Sequence, residues 1–228
     1  MDFYGTLVHE DDAVVASICE EVRLRAPDPA AVTAAEISRY WWSEYLALMG
    51  RAHGRGFLTQ RAIGRTSLAA VLRRFRSGAD LEALLAAQFA YWGRPEVHPD
   101  ALPFLAYLAE AGLPTCVVSN IDRADLEAAM AHHGLAGRFT HLVTSEDARS
   151  YKPRPEMFGN ALGLLGLAPG DVLHIGDSLA NDVAGATALG IPVAWINRRR
   201  RTQPSVLVPT HEATALTGLL ALLAPASC

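Results

Sequence analysis

Four short segments of this chain carry side chains that could perform group transfer. Asp2 stands near the amino end, and Lys152 lies in a proline-rich segment. Ser119 and Asp177 each follow an apolar run. A carboxylate can act as a nucleophile that forms an ester or an acyl phosphate, which splits one difficult substitution into two steps. A hydroxyl and an ammonium group can hold the anionic oxygens of a substrate. Asp2 is therefore the candidate nucleophile.

Lys152 is singled out by the composition. It is the one lysine among the 20 basic residues of the chain, so arginine is favoured wherever either cation would serve. A compact ammonium with three donors fits between two carboxylates and a phosphoryl group, where a planar guanidinium would not. We interpret Lys152 as a site residue, and the alternative is a lone lysine on a surface loop.

The segment HIGDSLAND, residues 174–182, joins a strand-like run to the start of a helix. Gly176 and Asp177 fit a tight turn whose carboxylate meets Mg²⁺, with Asp182 as a second ligand or an outer partner. Mg²⁺ is bound by few carboxylates together with waters and substrate oxygens. The alternative is a pair of surface or helix-capping acids.

Ser119 and Asn120 end another apolar run. Their hydroxyl and amide groups fit a cradle for a phosphoryl oxygen or a substrate carboxylate. A capping Ser-Asn turn is the alternative, and by itself it explains the pair equally well.

Two patterns of apolar residues divide the chain. Before about residue 95 the spacing is helical and predicts an all-helical bundle with helices Ala13–Arg25, Ala31–Leu48, Gln60–Phe75 and Asp80–Trp92.

Beyond about His98, short apolar runs alternate with helices. The predicted strands are Pro114–Ser119, Thr140–Thr144, Asp171–Ile175 and Ile191–Ile196, and the predicted helices are Ala101–Ala111, Ala124–His132, Pro155–Leu165 and Asn181–Leu189. This alternation predicts a parallel sheet with right-handed crossovers, and such sheets bind ligands at the carboxyl ends of their strands.

In their order and separations, the segments DFYGTL (2–7), VVSN (117–120), YKPRP (151–155) and HIGDSLAND (174–182) resemble the four motifs of the haloacid dehalogenase superfamily. The resemblance covers essentially the whole chain. It implies an α/β fold: a Rossmann-like parallel-sheet core of residues 1–12 and 95–228, with an all-helical cap inserted at residues 13–94.

The resemblance also implies roles for the site residues. Asp2 would attack the substrate, and the main-chain carbonyl of Tyr4 would hold Mg²⁺ with the carboxylates of Asp2, Asp177 and Asp182. Thr6, Ser119 and Lys152 would neutralise the phosphoryl oxygens, with Asn120 beside them. The implied activity is a Mg²⁺-dependent phosphatase acting on a small phosphorylated metabolite.

Tyr4 points to an alternative. Phosphatases of the superfamily usually carry a second Asp at this position as general acid and base, whereas a tyrosine resembles the metal-independent 2-haloacid dehalogenases. Segment 195–198, WINR, also resembles that subgroup. Asp177 argues against it, because an acid there would repel a haloacid carboxylate. The cap arginine that collects halide is absent too: Trp41 aligns at its position, and Arg39 is two residues away, about 200° around a helix.

In choosing between phosphatase and dehalogenase we give Asp177 more weight than Tyr4. The reason is that a missing general acid slows phosphate release by only about 10²–10⁴-fold. A catalytically weak relative that binds a ligand or partner is a third alternative.

We expect the run Arg198–Arg201 to be a solvated loop, and Trp41, Trp42 and Tyr45 to belong to the core of the cap bundle.

The strand that the superfamily's nucleophile normally ends is missing, since only Met1 precedes Asp2. An unpaired centre in a parallel sheet would cost several kcal/mol or more. We therefore expect either a start set too late or a damaged product.

The composition indicates which partners and which cellular location to expect for the protein. A formal net charge of −4 over 228 residues provides no basic surplus for binding nucleic acid. No uncharged apolar run is long enough to cross a bilayer, so we expect no membrane partner. The three cysteines lack metal-ligand spacing and are typical of a reduced cytoplasm. We expect a cytoplasmic monomer or homodimer with a small-molecule substrate.

Overall fold

The computed structural model describes residues 1–202 and 206–223. Its helices are α1 (Asp12–Leu24), α2 (Ala34–Arg51), α3 (Gln60–Phe75), α4 (Leu81–Trp92), α5 (Ala101–Glu110), α6 (Arg123–His132), α7 (Ser145–Ala148), α8 (Pro155–Leu165), α9 (Ala184–Ala188) and α10 (Leu220–Leu223). Its strands are β1 (Cys116–Ser119), β2 (His141–Thr144), β3 (His174–Gly176), β4 (Val193–Ile196) and β5 (His211–Ala213). Within the described residues, no helix is long and apolar enough to cross a membrane.

Helices α1 to α4 pack around a core of their own. Ile18, Ile37, Trp41 and Leu68 are buried members of that core. Local caps set the helix starts: Thr33 forms a reciprocal capping box with Glu36 ahead of α2, and this satisfies two backbone N–H groups that a helix start leaves free. The helical prediction for this part of the chain is therefore confirmed.

The five strands form two parallel sheets. Strand β1 pairs with β2, and the second sheet has the order β3-β4-β5. Residues Met1 and Asp2 join the two sheets: the Val118 N–H donates to the Met1 carbonyl at 2.8 Å, and the Asp2 N–H donates to the Ile175 carbonyl at 2.8 Å. The predicted α/β architecture with parallel strands is confirmed, and Asp2 lies at its centre.

Two buried acids after β1 fasten the cap helix α3 to the core. The Asp122 carboxylate accepts the N–H groups of Gln60, at 2.7 Å, and Arg61, at 2.9 Å. Asp125 pairs with the guanidinium of Arg61 at 2.5 Å. Because these N–H groups belong to the first turn of α3, Asp122 supplies the acceptors that the helix start lacks. The amino end of α3 is thereby held beside the carboxyl end of β1.

The structure differs from the sequence-based elements at the start of the predicted helix Asn181–Leu189. A π-helical turn at Leu179–Val183 comes first, and α9 follows it. Ser178 caps this turn by accepting the Asn181 N–H, and the Asp182 carboxylate accepts the Ser178 N–H at 3.1 Å. A wider turn of this kind re-aims a side chain and is frequent at functional sites.

Candidate active site

The Asp2 carboxyl lies between the two sheets and is 8% exposed. Its Oδ1 accepts the Phe3 N–H at 2.8 Å and lies 3.0 Å from the Lys152 ammonium. Burial raises the pKa of Asp2, while the charge of Lys152 and a hydrogen bond from Ser119 oppose that rise. The carboxyl is therefore held by the Phe3 N–H and lies next to a cation that favours its ionised, nucleophilic form.

Lys152 is buried and bridges two acids. Its Nζ lies 2.6 Å from Oδ1 of Asp182 as well as 3.0 Å from Oδ1 of Asp2. Burial alone would lower the pKa of Lys152, but attraction to these carboxylates raises it above the ordinary value. The interpretation of this lysine as a site residue agrees with its position, since a surface loop would leave it exposed.

Asp182 is fully buried, and both oxygens of its carboxylate accept hydrogen bonds. Its Oδ1 contacts Lys152 and lies 2.8 Å from His174 Nε2, and its Oδ2 accepts the Ser178 N–H. Burial opposes ionisation, but the Lys152 charge and the His174 contact hold the pKa of Asp182 below its usual range. Asp182 is thus an ionised anchor that positions Lys152.

Asp177 is a buried acid with one loose ion pair among the described residues. The Arg201 guanidinium lies 3.8 Å from its Oδ2 and also donates to its main-chain carbonyl at 3.2 Å. Burial, and then the charges of Asp182 and Asp2, raise the pKa of Asp177 well above its ordinary value. Close packing holds the carboxyl: a Cβ added at Gly5, whose φ is +79°, would lie 2.4 Å from Asp177 Oδ1. Glycine at position 5 therefore lets the nucleophile segment approach this acid.

These acids fit a divalent cation. Asp2, Asp177 and Asp182 each offer an oxygen, and the three oxygens lie within 4.8 Å of one another. Two of the three acids share the single ammonium of Lys152, so ionisation of Asp177 as well would leave a surplus of buried negative charge. Burial lowers the pKa of His174 to about 4, so this imidazole adds no charge at neutral pH. Because the oxygens of Asp182 already accept three donors, Asp2 and Asp177 would supply the direct carboxylate ligands to Mg²⁺.

The predicted anion-binding residues lie at different places around Asp2. Ser119 is buried at the end of β1, and its proximity to the Asp2 carboxyl opposes the rise in the pKa of Asp2. The hydroxyl of Thr6 is buried and has no hydrogen-bond partner among the described residues. The Asn120 amide instead accepts the Lys152 N–H at 2.8 Å and donates to the Lys152 carbonyl at 3.3 Å. The structure therefore brings Ser119 to the nucleophile and uses Asn120 to hold the lysine loop.

The Tyr4 hydroxyl donates to the main-chain carbonyl of Trp92 at the end of α4. Burial raises the pKa of Tyr4, so the phenol stays protonated as a donor. This side chain therefore ties the nucleophile segment to the last cap helix. No proton transfer at the substrate is assigned to it.

Some contributors were not predicted from the sequence. His174 looked like an ordinary strand residue, and its contact with Asp182 depends on the π-helical turn. The run at 198–201 was expected to be solvated, yet Arg198 forms an ion pair with Asp100 at 3.0 Å and donates to the Thr6 carbonyl at 2.8 Å. The sequence carried a signal for this: Arg198 is the second residue after a predicted strand, near the carboxyl edge of the sheet where ligands of parallel sheets bind.

The cap supplies no arginine in the place expected for halide binding. Trp41 is buried and donates its indole N–H to the Ser67 hydroxyl at 3.0 Å, which confirms its place in the bundle core. Arg39 is exposed. Trp42 is 59% exposed, so it lies at the cap surface and not in the bundle core. It stacks on the half-buried Tyr45, which packs against a separate buried cluster of Ala52, Ile63 and Tyr151.

Comparison with known proteins gives one family and two activities. A family model of haloacid dehalogenase-like hydrolases matches residues 1–190. An (S)-2-haloacid dehalogenase of Pseudomonas fluorescens is 29% identical over 217 residues, which cover 92% of this chain and 88% of that protein. A phosphoserine phosphatase of Thermus thermophilus is 32% identical over 114 residues, which cover 48% of this chain and 44% of that protein.

A solved structure gives the same fold. The L-2-haloacid dehalogenase of Xanthobacter autotrophicus, with chloropropionic acid covalently bound, superposes with a TM-score of 0.76 at 24% identity, covering 99% of this chain and 97% of the other. At this identity the likeness concerns the fold. The relative that matches along most of the chain is a dehalogenase, whereas the phosphatase match covers about half of it.

Proposed function

We propose that this chain, which belongs to the haloacid dehalogenase-like hydrolases, is a Mg²⁺-dependent phosphatase of a small phosphorylated metabolite. The observation that supports this activity is the negative charge that three buried acids would place around the nucleophile. Asp177 lies within reach of Asp2 and Asp182, and among the described residues it pairs only loosely with the Arg201 guanidinium, at 3.8 Å. A site that bound an anionic substrate with these acids alone would repel it.

Bound Mg²⁺ would neutralise this charge and polarise a phosphoryl oxygen. The residues of the chain perform the remaining work. An Asp2 oxygen forms a bond to phosphorus as the bond between phosphorus and the leaving oxygen breaks, which gives an aspartyl phosphate and an alcohol that takes a proton from solvent. Water then hydrolyses the aspartyl phosphate and restores the carboxylate. Lys152, Ser119 and the free hydroxyl of Thr6 would stabilise the phosphoryl oxygens.

The second candidate is hydrolytic dehalogenation of a 2-haloacid. Two observations favour it: the match to the Pseudomonas fluorescens dehalogenase along most of the chain, and Tyr4 in place of a general acid. In this reaction an Asp2 oxygen attacks carbon and displaces halide, which needs no proton. Arg201 would then have to neutralise Asp177 without a metal. The cytoplasmic location and the monomeric or dimeric state remain predictions for either candidate.

A parallel assay tests the two activities. Phosphate release from p-nitrophenyl phosphate and a broad panel of phosphorylated metabolites, and chloride release from both enantiomers of 2-chloropropionate, would be measured with Mg²⁺ and with EDTA. We expect phosphate release that needs Mg²⁺ and is lost in Asp2→Asn. The matched control is Asp171→Asn, which removes an exposed acid outside the site and should leave the rate unchanged.

The other outcomes are distinct. Chloride release that persists in EDTA and is lost in Asp2→Asn would replace the first proposal with the second. Neither activity, from protein that melts cooperatively, would favour a ligand- or partner-binding relative. Phosphate release that survives Asp2→Asn would contradict the nucleophile itself.

A further inference from the structure

Residues 197–201 form a loop directly after β4, and a buried asparagine closes it. The Asn197 side chain accepts the Arg201 N–H at 2.8 Å and donates to the Arg201 carbonyl at 2.8 Å. The same amide nitrogen donates to Glu212 of β5 at 2.7 Å. Because one buried side chain holds both main-chain groups of Arg201, the place of this arginine beside the carboxyl end of β4 is fixed.

Two arginines of this loop have close acidic partners. Arg198 pairs with Asp100 at 3.0 Å and donates to the Thr6 carbonyl at 2.8 Å. Arg199 pairs with Asp12, the first residue of α1. Their guanidinium groups are therefore engaged in holding the nucleophile segment and the start of the cap.

Arg201 is placed differently, because it borders the acid cluster of the site. Its Nη2 lies 3.8 Å from Asp177 Oδ2 and donates to the Asp177 carbonyl at 3.2 Å. The side chain is 51% exposed, and both contacts use the same nitrogen. Among the described residues, Nε and Nη1 of Arg201 have no acceptor. The guanidinium thus retains donors for another anion at the mouth of the site.

Binding of Mg²⁺ by Asp177, as in the proposed function, would change the charge beside Arg201. A bound divalent cation is the largest local charge in such a site and outweighs one carboxylate. The loose pair between Arg201 and Asp177 then loses its attraction, while Asn197 still holds the arginine in place. A second anionic group on the substrate would balance this guanidinium.

The distances and the charge indicate the kind of substrate that fits. Oxygens of Asp2 and Asp177 lie within 4.8 Å of each other, and Arg201 lies 3.8 Å from Asp177. A spacer of about two to four carbon atoms, at ~1.5 Å per bond, spans such a separation. One guanidinium matches the single charge of a carboxylate better than the nearly double charge of a second phosphate group.

We propose that Arg201 is a specificity-determining residue that binds the carboxylate of a phosphorylated carboxylic acid, an inference that rests on the phosphatase activity proposed above. The substrate class is a phosphate monoester that carries a carboxylate a few carbon atoms from the phosphoryl group. The phosphoryl group binds at Asp2, and the carboxylate accepts charge-assisted hydrogen bonds from Arg201.

A pair of ligands that differ in one charge tests this assignment. Binding of 4-phosphonobutanoate and of its carboxamide, 4-phosphonobutanamide, would be measured by calorimetry in the presence of Mg²⁺. Both are phosphonates, so neither is hydrolysed. Turnover of the matching esters, 3-phosphonooxypropanoate and 3-phosphonooxypropanamide, would be measured beside them. The variants are Arg201→Met and the matched control Arg200→Met, which removes an exposed arginine from the same loop.

We expect the original protein to bind the carboxylate at least about tenfold more tightly than the carboxamide, since hydrogen bonds between charged groups are the strong ones. Arg201→Met should abolish this preference by weakening binding of the carboxylate alone. It should raise KM for the carboxylate ester by a similar factor and change kcat little, because the contact is remote from the reacting atoms. Arg200→Met should keep the preference.

The contrary outcomes separate this inference from the activity on which it rests. Equal affinity of the original protein for the two phosphonates would overturn the role of Arg201, and so would a preference that persists in Arg201→Met. Phosphate release that needs Mg²⁺ and Asp2 would still support the phosphatase in both cases. If folded protein binds neither phosphonate and releases no phosphate, both proposals are overturned.

Discussion

The Nζ of Lys152 lies 3.0 Å from Oδ1 of Asp2, and both groups are buried. The cation that balances the nucleophile is therefore fixed before any substrate arrives. Asp182 holds the other side of the same ammonium at 2.6 Å. A preorganised cation of this kind stabilises developing negative charge without having to reorient during the reaction.

Replacing Lys152 with methionine should damage both stability and turnover. Two acids would lose their shared buried counter-ion, and breaking a buried pair in this way costs about 3–5 kcal/mol. Lys152→Arg should not restore activity, because the 1% exposed site has little room for a planar guanidinium. Urea unfolding and steady-state kinetics measure the two effects.

Arg73→Met is the matched control for this test, since it removes an exposed cation of α3 and should change stability little. Near-normal turnover in Lys152→Arg would show that any cation suffices at this point.

Asp177→Asn tests two properties of the Asp177 carboxylate: whether it destabilises the fold when Mg²⁺ is absent, and whether it binds Mg²⁺. The change removes repulsion among buried acids, so the free energy of unfolding without metal should rise by about 1 kcal/mol. Activity should fall, and the stabilisation that Mg²⁺ gives the original protein should disappear, because ligands stabilise only the state that binds them. Thermal melts with and without Mg²⁺ measure this. A loss of stability in the metal-free variant would instead mean that the Arg201 pairing outweighs the repulsion.

The sequence singled out Asp2, Lys152 and Asp177 as candidate site residues on different grounds. Asp177 directly follows an apolar run, Lys152 is the one lysine of the chain, and Asp2 stands in the first of the four motifs. The contact between His174 and Asp182 could not be predicted in this way, because it depends on a π-helical turn that the helical spacing conceals.

The cap shows the same limit. The bundle and its buried Trp41 follow from apolar periodicity, and the helix starts follow from capping residues. The hydrogen bond from Tyr4 to Trp92 joins residues 88 positions apart, and no local pattern reports such a contact. Strand β5 was missed because its three residues, His211–Ala213, lack an apolar run.

Gly176→Ala tests how closely the acid cluster is packed. A Cβ at this position would lie 2.3 Å from Cγ of Asp182, so Asp182 and the Lys152 bound to it must shift. We expect a loss of about 1–3 kcal/mol in unfolding free energy and a strong fall in turnover. Gly159→Ala is the matched control: it lies in α8 with nothing within 4 Å of an added Cβ and should be stabilising by up to about 1 kcal/mol. Comparable stability of the two variants would contradict the packing.

Tyr4→Phe tests whether this side chain ties the cap to the core or acts on the substrate. Loss of the hydrogen bond to Trp92 should cost about 0.5–1.5 kcal/mol of unfolding free energy. If the hydroxyl serves only as a tether, kcat should change by less than about tenfold, since general acid–base groups contribute about 10²–10⁴-fold. A fall of 100-fold or more, with unchanged stability, would assign Tyr4 to the reaction.

His98 should make the fold sensitive to mild acid. Burial, and then the charges of Arg198 and His9, lower the pKa of His98 to about 4, against about 6.5 in the unfolded chain. The unfolded state therefore binds the proton first, so the contribution of His98 to stability is complete above pH 6.5 and is lost progressively as the pH falls towards 4. The loss should amount to about 1–3 kcal/mol. Urea unfolding of the original protein and His98→Gln at pH 7.5 and pH 5 measures it, and the variant should lose less stability between the two pH values. An equal loss in both proteins would assign the acid sensitivity to other groups, of which the buried His174 is the first to examine.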